Sequence, residues 1–316
     1  MKFFSASLRN NNCGIDMYSY DENGLEKINE NNELNSLGYI VLSKDKKKLY
    51  ALCEKNNYEG VGIYDVFDDS LSLTNFIETR DKGLCHLTLS PCENYIYTAN
   101  YHNGSMSVLN QEEIQYFKYE NISRVHMVSF RPSTNELFVV DLGCNSIRIY
   151  NMDKNNGRLV LKDIIQTKEG IGPRHLIFIN ENVFYVVFEI SNQISVYKNK
   201  NNTWECIQTL STIPTNLTQQ SYASAIKISG NKLFASNRGH NSIARYTIQN
   251  DFTLVINDIW HLEYDFPRDF LVTHDNHLIV AFQKTNNIGL YKISNKLIEL
   301  STIKNIDSVV GLCSAD

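Results

Sequence analysis

Most of the side chains able to do chemistry in this chain fall at two recurring kinds of position. Seven aromatic or isoleucine residues serve as anchors: Phe4, Tyr50, Tyr97, Phe138, Tyr185, Phe234 and Ile279. Four residues beyond each stand Leu8, Glu54, Tyr101, Leu142, Glu189, Arg238 and Gln283. The second kind of position opens a short apolar stretch and holds Cys85-His86, Val125-His126, Arg174-His175, Ser224-Ala225 and Arg268-Asp269. If both sets face one space, His86, His126, Arg174, His175, Glu189, Arg238 and Arg268 meet there, with Tyr101 and Gln283 beside them. Guanidinium groups grip carboxylates and phosphates through two parallel hydrogen bonds. An imidazole or a carboxylate moves a proton near neutral pH. The combination suits a small anionic ligand and a proton transfer.

The elements that must position these groups are visible as a repeat. The anchors are spaced by 46, 47, 41, 47, 49 and 45 residues, so seven copies consume all 316 residues and leave no room for a second domain. Each copy holds four strand signals, as in LGYIVLS, KLYALCE, VGIYDV and SLTNFIET, with Asn, Asp, Gly and Lys between them. Helical periodicity is nowhere sustained. Four strands in each repeat of this length predict an all-β, seven-bladed β-propeller of antiparallel four-stranded blades, one domain over residues 1–316. The first copy lacks an innermost strand, and the C-terminal SVVGLCS has no successor. Pairing the two would close the ring and remove an exposed edge. The two inner strands of a blade are antiparallel, so the residue entering the first and the residue leaving the second emerge on the same face. That face surrounds the mouth of the central channel, where a propeller offers a concave site.

Composition narrows the function classes. The net charge of −5 argues against a general affinity for nucleic acid or anionic membranes. No uncharged apolar run reaches the ~18–20 residues of a membrane helix, and MKFFSASLR is too short an apolar start for a signal peptide. A cytoplasmic location is expected. The seven cysteines, at 13, 53, 85, 92, 144, 206 and 313, lack metal-site spacing and are expected reduced and mostly buried. The run Lys44–Lys48 is expected to be a solvated turn. Phosphate-loop, dinucleotide and serine-hydrolase motifs are missing. Glu54, Asn100, Asp141 and Asn237 could imitate a metal ring, although Asp141 and Asn237 are better placed to bond turn backbone. No cofactor is expected.

The stretches GIGPRHLIFI, YASAIKIS, LFASNRGHNSIARYTI, FPRDFLV, LIVAFQKTNNIGLYKI and CHLTLSP resemble the lactonase seven-bladed propellers. That family includes bacterial 6-phosphogluconolactonases and fungal carboxymuconate-lactonizing enzymes. The resemblance runs over nearly the whole chain, and GPRH and NRGHNSIA are its most specific parts. It implies metal-independent lactone chemistry with His126, Arg174, Glu189 and Arg238 as the catalytic set, all within the two columns above. His86, His175, Arg268, Gln283 and Tyr101 are candidates for binding the substrate. The chain departs from the family at its turns (SKDKK, SPCEN and RPSTN in place of a Pro-Asp-Gly turn) and at Lys227, where relatives are not basic. Glu189 follows the apolar run VFYVVF, so desolvation is expected to make it more basic. Either it or His126 would serve as the base. Arg268 could pair with Asp269, and His86 and His175 share a blade position that suits packing. The implied reaction is hydrolysis of an anionic sugar lactone, most directly 6-phosphogluconolactone. The alternatives are a lactone-forming cycloisomerase in the same pocket and a propeller that binds without turnover.

Overall fold

The computed structural model describes residues 1–8, 14–216 and 219–315. Every regular element in it is a β-strand, and the strands form seven four-stranded antiparallel sheets. The innermost strands, from the first blade to the seventh, are Val309–Ser314, Asn35–Leu42, Leu84–Leu89, Val125–Phe130, Pro173–Asn180, Tyr222–Ser229 and Pro267–Val272. The second strands are Lys2–Ser7, Lys48–Lys55, Ile96–Asn100, Glu136–Asp141, Val183–Phe188, Lys232–Arg238 and His277–Phe282. Each innermost strand touches those of both neighbouring blades, so the ring is closed around one channel.

The apolar runs are explained by what the blades bury. Side chains alternate across a strand, and each sheet is covered on both faces by its neighbours. Phe4 therefore packs into the cluster between the first and second blades, and Phe3 into the cluster between the seventh and first. Seven such clusters fill the seven interfaces. All seven anchor residues are buried within them. Each buried large apolar side chain contributes roughly 1.5–3 kcal/mol, which no blade can gain without its neighbours. The outermost strand Leu159–Gln166 has a mostly exposed centre.

Ring closure is as expected. Ser5 pairs with Leu312 and Phe3 with Ser314, joining the C-terminal strand to the N-terminal one. Asparagine supplies the tight turns: among the described residues, ten of the sixteen non-glycine positions at positive φ are Asn. Four of these, at the turns after the second strands, also join neighbouring blades. Asn145 Oδ1 accepts from Gly172 N (3.1 Å), Asn241 Oδ1 from Phe266 N (3.0 Å) and Asn286 Oδ1 from Ser308 N (2.9 Å), while Asn192 Nδ2 donates to Ser221 O (2.7 Å). Lys44 to Lys48 are exposed, as a solvated turn requires. The cysteines correct the expectation of burial. No disulfide joins the six described ones, but only Cys53 is buried, and Cys92 and Cys206 are exposed because they lie in a turn and on an outermost strand. Cys13 lies outside the described residues.

Candidate active site

One irregularity, repeated around the ring, builds the site. Where each innermost strand begins, its pairing with the second strand slips. In five blades a single residue is left unpaired: Val310, Cys85, His126, Arg174 and Arg268. The second blade leaves out Leu37 to Tyr39, and the sixth Ser224 and Ala225. Such bulges bend a strand and re-aim a side chain. Here they turn Val310, Tyr39, Cys85, His126, Arg174 and Arg268 into a cavity of about 450 Å³ at the channel mouth. Glu189 and Arg238, which leave second strands, reach the same cavity, as does Tyr101. Tyr39, His175 and Asp269 line both this cavity and a second one of about 240 Å³.

Two glycines make the approach possible. Gly172 has φ +66°, and a Cβ there would meet the Ile190 side chain at 2.9 Å. Its carbonyl accepts from Glu189 N at 2.8 Å, which fixes the backbone of that residue. Gly239, at φ +95°, lies so close to Gln220 O that a Cβ would sit 2.3 Å from it. These are the glycines of the GPRH and NRGH motifs.

The charges are organised around Glu189. Its Oε2 is 2.9 Å from Arg174 Nε and 2.8 Å from Arg238 Nη2. Arg238 Nη2 also donates to Ala223 O, and its guanidinium lies 5.3 Å from the centre of the Phe266 ring. Arg268 Nη1 donates to Gln283 Oε1 at 3.1 Å. Desolvation, with repulsion from Arg238 next, pulls Arg174 down to about 9 and Arg268 to about 10, so both are charged at neutral pH. His126 is buried, and its Nδ1 has no hydrogen-bond partner among the described residues. Burial, reinforced by Arg174 and Arg268, holds it well below the usual imidazole range, and it is neutral at pH 7. An aromatic ladder crosses the channel. Ring centres are 5.5 Å apart from Tyr101 to His126, 5.1 Å from His126 to His175, 5.6 Å from His175 to His86 and 4.0 Å from His86 to Tyr39.

Comparison with known proteins gives this geometry a lineage. Residues 3–313 match the family described as lactonase, seven-bladed β-propeller. The chain belongs to that family. A 6-phosphogluconolactonase of Bacillus subtilis is 26% identical over 295 residues, 86% of this chain and 84% of that one. The structure of a Lactobacillus plantarum protein superposes with a TM-score of 0.90 at 23% identity, covering 98% of each chain. A periplasmic gluconolactonase of Pseudomonas aeruginosa superposes with a TM-score of 0.91 at 20% identity, covering 99% of this chain and 98% of that one.

Within this lactonase-family propeller, the structure places the expected residues as follows. His126, Arg174, Glu189, Arg238, Arg268, His175 and Tyr101 all line the cavity. His86 does not; it is 2% exposed and lies between Tyr39 and the His175 ring, which it meets edge-on. Gln283 sits behind Arg268 rather than on the cavity wall. Arg268 does not pair with Asp269, whose Oδ1 meets Lys227 Nζ at 3.2 Å and whose Oδ2 accepts from Leu312 N at 3.0 Å. No metal ring is assembled from Glu54, Asn100, Asp141 and Asn237, none of which lines the cavity. Asn100 bonds to Lys82 O, Asp141 to Ser123, Arg124 N and Arg148, and Asn237 to Thr212 and Ser242. His102 reaches the cavity rim, whereas His240 bonds to Ser242 Oγ. The sequence columns missed Tyr39 and Glu59. Tyr39 enters only through a three-residue bulge, and Glu59 holds the loop at Gly83 N and Leu84 N from a third strand.

Proposed function

We propose that this protein hydrolyses an anionic sugar-derived lactone, with 6-phosphogluconolactone the foremost substrate, to the open-chain acid. The observation that carries this reading is the convergence of Arg174, Arg238 and Arg268, the Glu189 carboxylate and the neutral His126 imidazole on one cavity of about 450 Å³, a volume suited to a single sugar ring. The family supports the lactone, and the Bacillus relative, named a 6-phosphogluconolactonase, supports the phosphorylated sugar.

The chemistry asks for a base, a group to bear the negative charge on the attacked carbonyl oxygen, and a proton for the leaving oxygen. Arg174 and Arg238 supply the second. Both are anchored by Glu189, and Arg238 Nε has no partner among the described residues. Donors fixed before the reaction stabilise a developing oxyanion without reorganising. His126 supplies the first. Its imidazole is already neutral, whereas Glu189 would weaken two ion pairs by taking up a proton. His126 takes a proton from water as the hydroxyl adds to the carbonyl carbon. When the ring C–O bond breaks, the imidazolium returns that proton to the alkoxide. The acid product then ionises, releasing one proton to solvent.

Proton release from 6-phosphogluconolactone and from glucono-δ-lactone, corrected for spontaneous hydrolysis, tests the reading. The rate should exceed background and be unchanged by EDTA. His126→Gln should lower kcat by ~10²-fold or more. A wild-type rate equal to background on both lactones would overturn the proposal.

A further inference from the structure

The fifth and seventh blades carry the same device with one difference. Gly172-Pro173-Arg174 and Phe266-Pro267-Arg268 occupy equivalent positions, both opening on a residue at positive φ, +66° and +71°. In both, the arginine is the bulged residue that lines the cavity. In both, a residue four beyond the anchor donates its backbone N–H to the loop: Glu189 to Gly172 O at 2.8 Å, and Gln283 to Phe266 O at 3.1 Å. Each of these residues also holds its arginine, Glu189 through Arg174 Nε and Gln283 through Arg268 Nη1. The difference is that the fifth blade presents a carboxylate where the seventh presents an amide. Arg174 therefore shares a carboxylate with Arg238, whereas Arg268 meets a neutral amide and makes no ion pair among the described residues.

The remaining carboxylates of the cavity are engaged elsewhere. Glu189 also bears Arg238, Asp269 is held by Lys227 and Leu312 N, and Glu59 accepts from Gly83 N and Leu84 N. Arg268 is partly buried, and a guanidinium drawn from water without an ion-pair partner is costly; an anion brought by a ligand relieves that cost.

We infer that Arg268, positioned by Gln283, is the subsite that takes the anionic group of the substrate, and that the Glu-to-Gln difference between the two blades sets selectivity for charged over neutral lactones. This rests on the lactonase reading above for its substrates, but not for its binding chemistry. The phosphate or carboxylate is held at Arg268, while the lactone carbonyl lies at Arg174 and Arg238.

Gln283→Glu tests it by installing the missing charge without removing a donor from the cavity, and Arg268→Gln removes the cation itself. Both variants are first checked for a wild-type melting transition. The preference for 6-phosphogluconolactone over glucono-δ-lactone, as a ratio of kcat/KM, should fall by ~10–100-fold in each. Calorimetric binding of inorganic phosphate and of 6-phosphogluconate should weaken by a similar factor. Equal losses on both lactones, or unchanged phosphate binding in Gln283→Glu, would overturn the assignment. If the wild type turns over neither lactone, the phosphate titration still decides: binding lost in Gln283→Glu upholds the subsite, and binding retained refutes it.

Discussion

Glu189 shows why the same ion-pair chemistry counts differently from place to place. Its side chain is 17% exposed, between Arg174 at 3% and Arg238 at 7%. Breaking a buried pair leaves charges unpaired and costs about 3–5 kcal/mol. The Lys2–Asp69 pair, 39% and 73% exposed, is worth at most about 1 kcal/mol. Glu189→Gln should therefore lower stability in urea denaturation by several kcal/mol, through two guanidinium groups left facing one another. It should also cut turnover by ~10²-fold or more, because the donors for the carbonyl oxygen lose their anchor. Asp69→Asn, measured in parallel, should leave both values within experimental error. The residue types were legible here, since Glu189, Arg174 and Arg238 stand in the two sequence columns. Their mutual pairing was not, because Arg238 comes from another blade and lies 49 residues further along the chain.

At the scale of elements, the strands were legible and the bulges were not. Burial on both faces writes a blade's second strand as an unbroken apolar run, such as VFYVVF, and a left-handed turn calls for Asn or Gly. A bulge adds one residue without altering either signal. Read without bulges, Cys85-His86 and Val125-His126 look equivalent. With them, Cys85 aligns with His126, Arg174 and Arg268, and His86 takes the next position, where it is buried off the cavity wall. The closing strand was legible from a blade short of one strand at one end and a surplus strand at the other. It buries Val309 and Leu312, and Leu312 N is tied to Asp269 in the seventh blade. Removing residues 306–316 would expose the Lys2–Ser7 edge and empty the cluster between the seventh and first blades. Cooperative thermal unfolding should be lost, or its midpoint fall steeply; a near-wild-type melting temperature would show that closure contributes little.

The whole molecule concentrates titratable groups that no single blade holds. His86, His126 and His175 come from three blades, and the His175 ring meets His86 at 5.6 Å and His126 at 5.1 Å, edge to face. Burial first, and nearby cations second, hold all three well below the usual imidazole range. In the unfolded chain they titrate near about 6.5. As pH falls through that value, the unfolded state binds protons that the folded state refuses, so stability is lost on acidification. Each proton steepens the loss by about 1.4 kcal/mol per pH unit, and up to three act between pH 7 and 5. Urea denaturation across that range should show this slope. His86→Phe, which keeps a ring between Tyr39 and His175, should flatten it by one proton; an unchanged slope would mean that His86 is protonated in the folded state.

The sequence by itself determined the architecture, because the repeat, the four strands in each copy and the split closing blade are local patterns set by burial and turn chemistry. It also determined which residue types gather at the mouth. The tertiary structure alone decided which of them meet. Pairing between Glu189, Arg174 and Arg238, the unmatched charge at Arg268 and the burial of three imidazoles all depend on bulge registers and on distances across the ring. Those are fixed only when seven sheets close on one another.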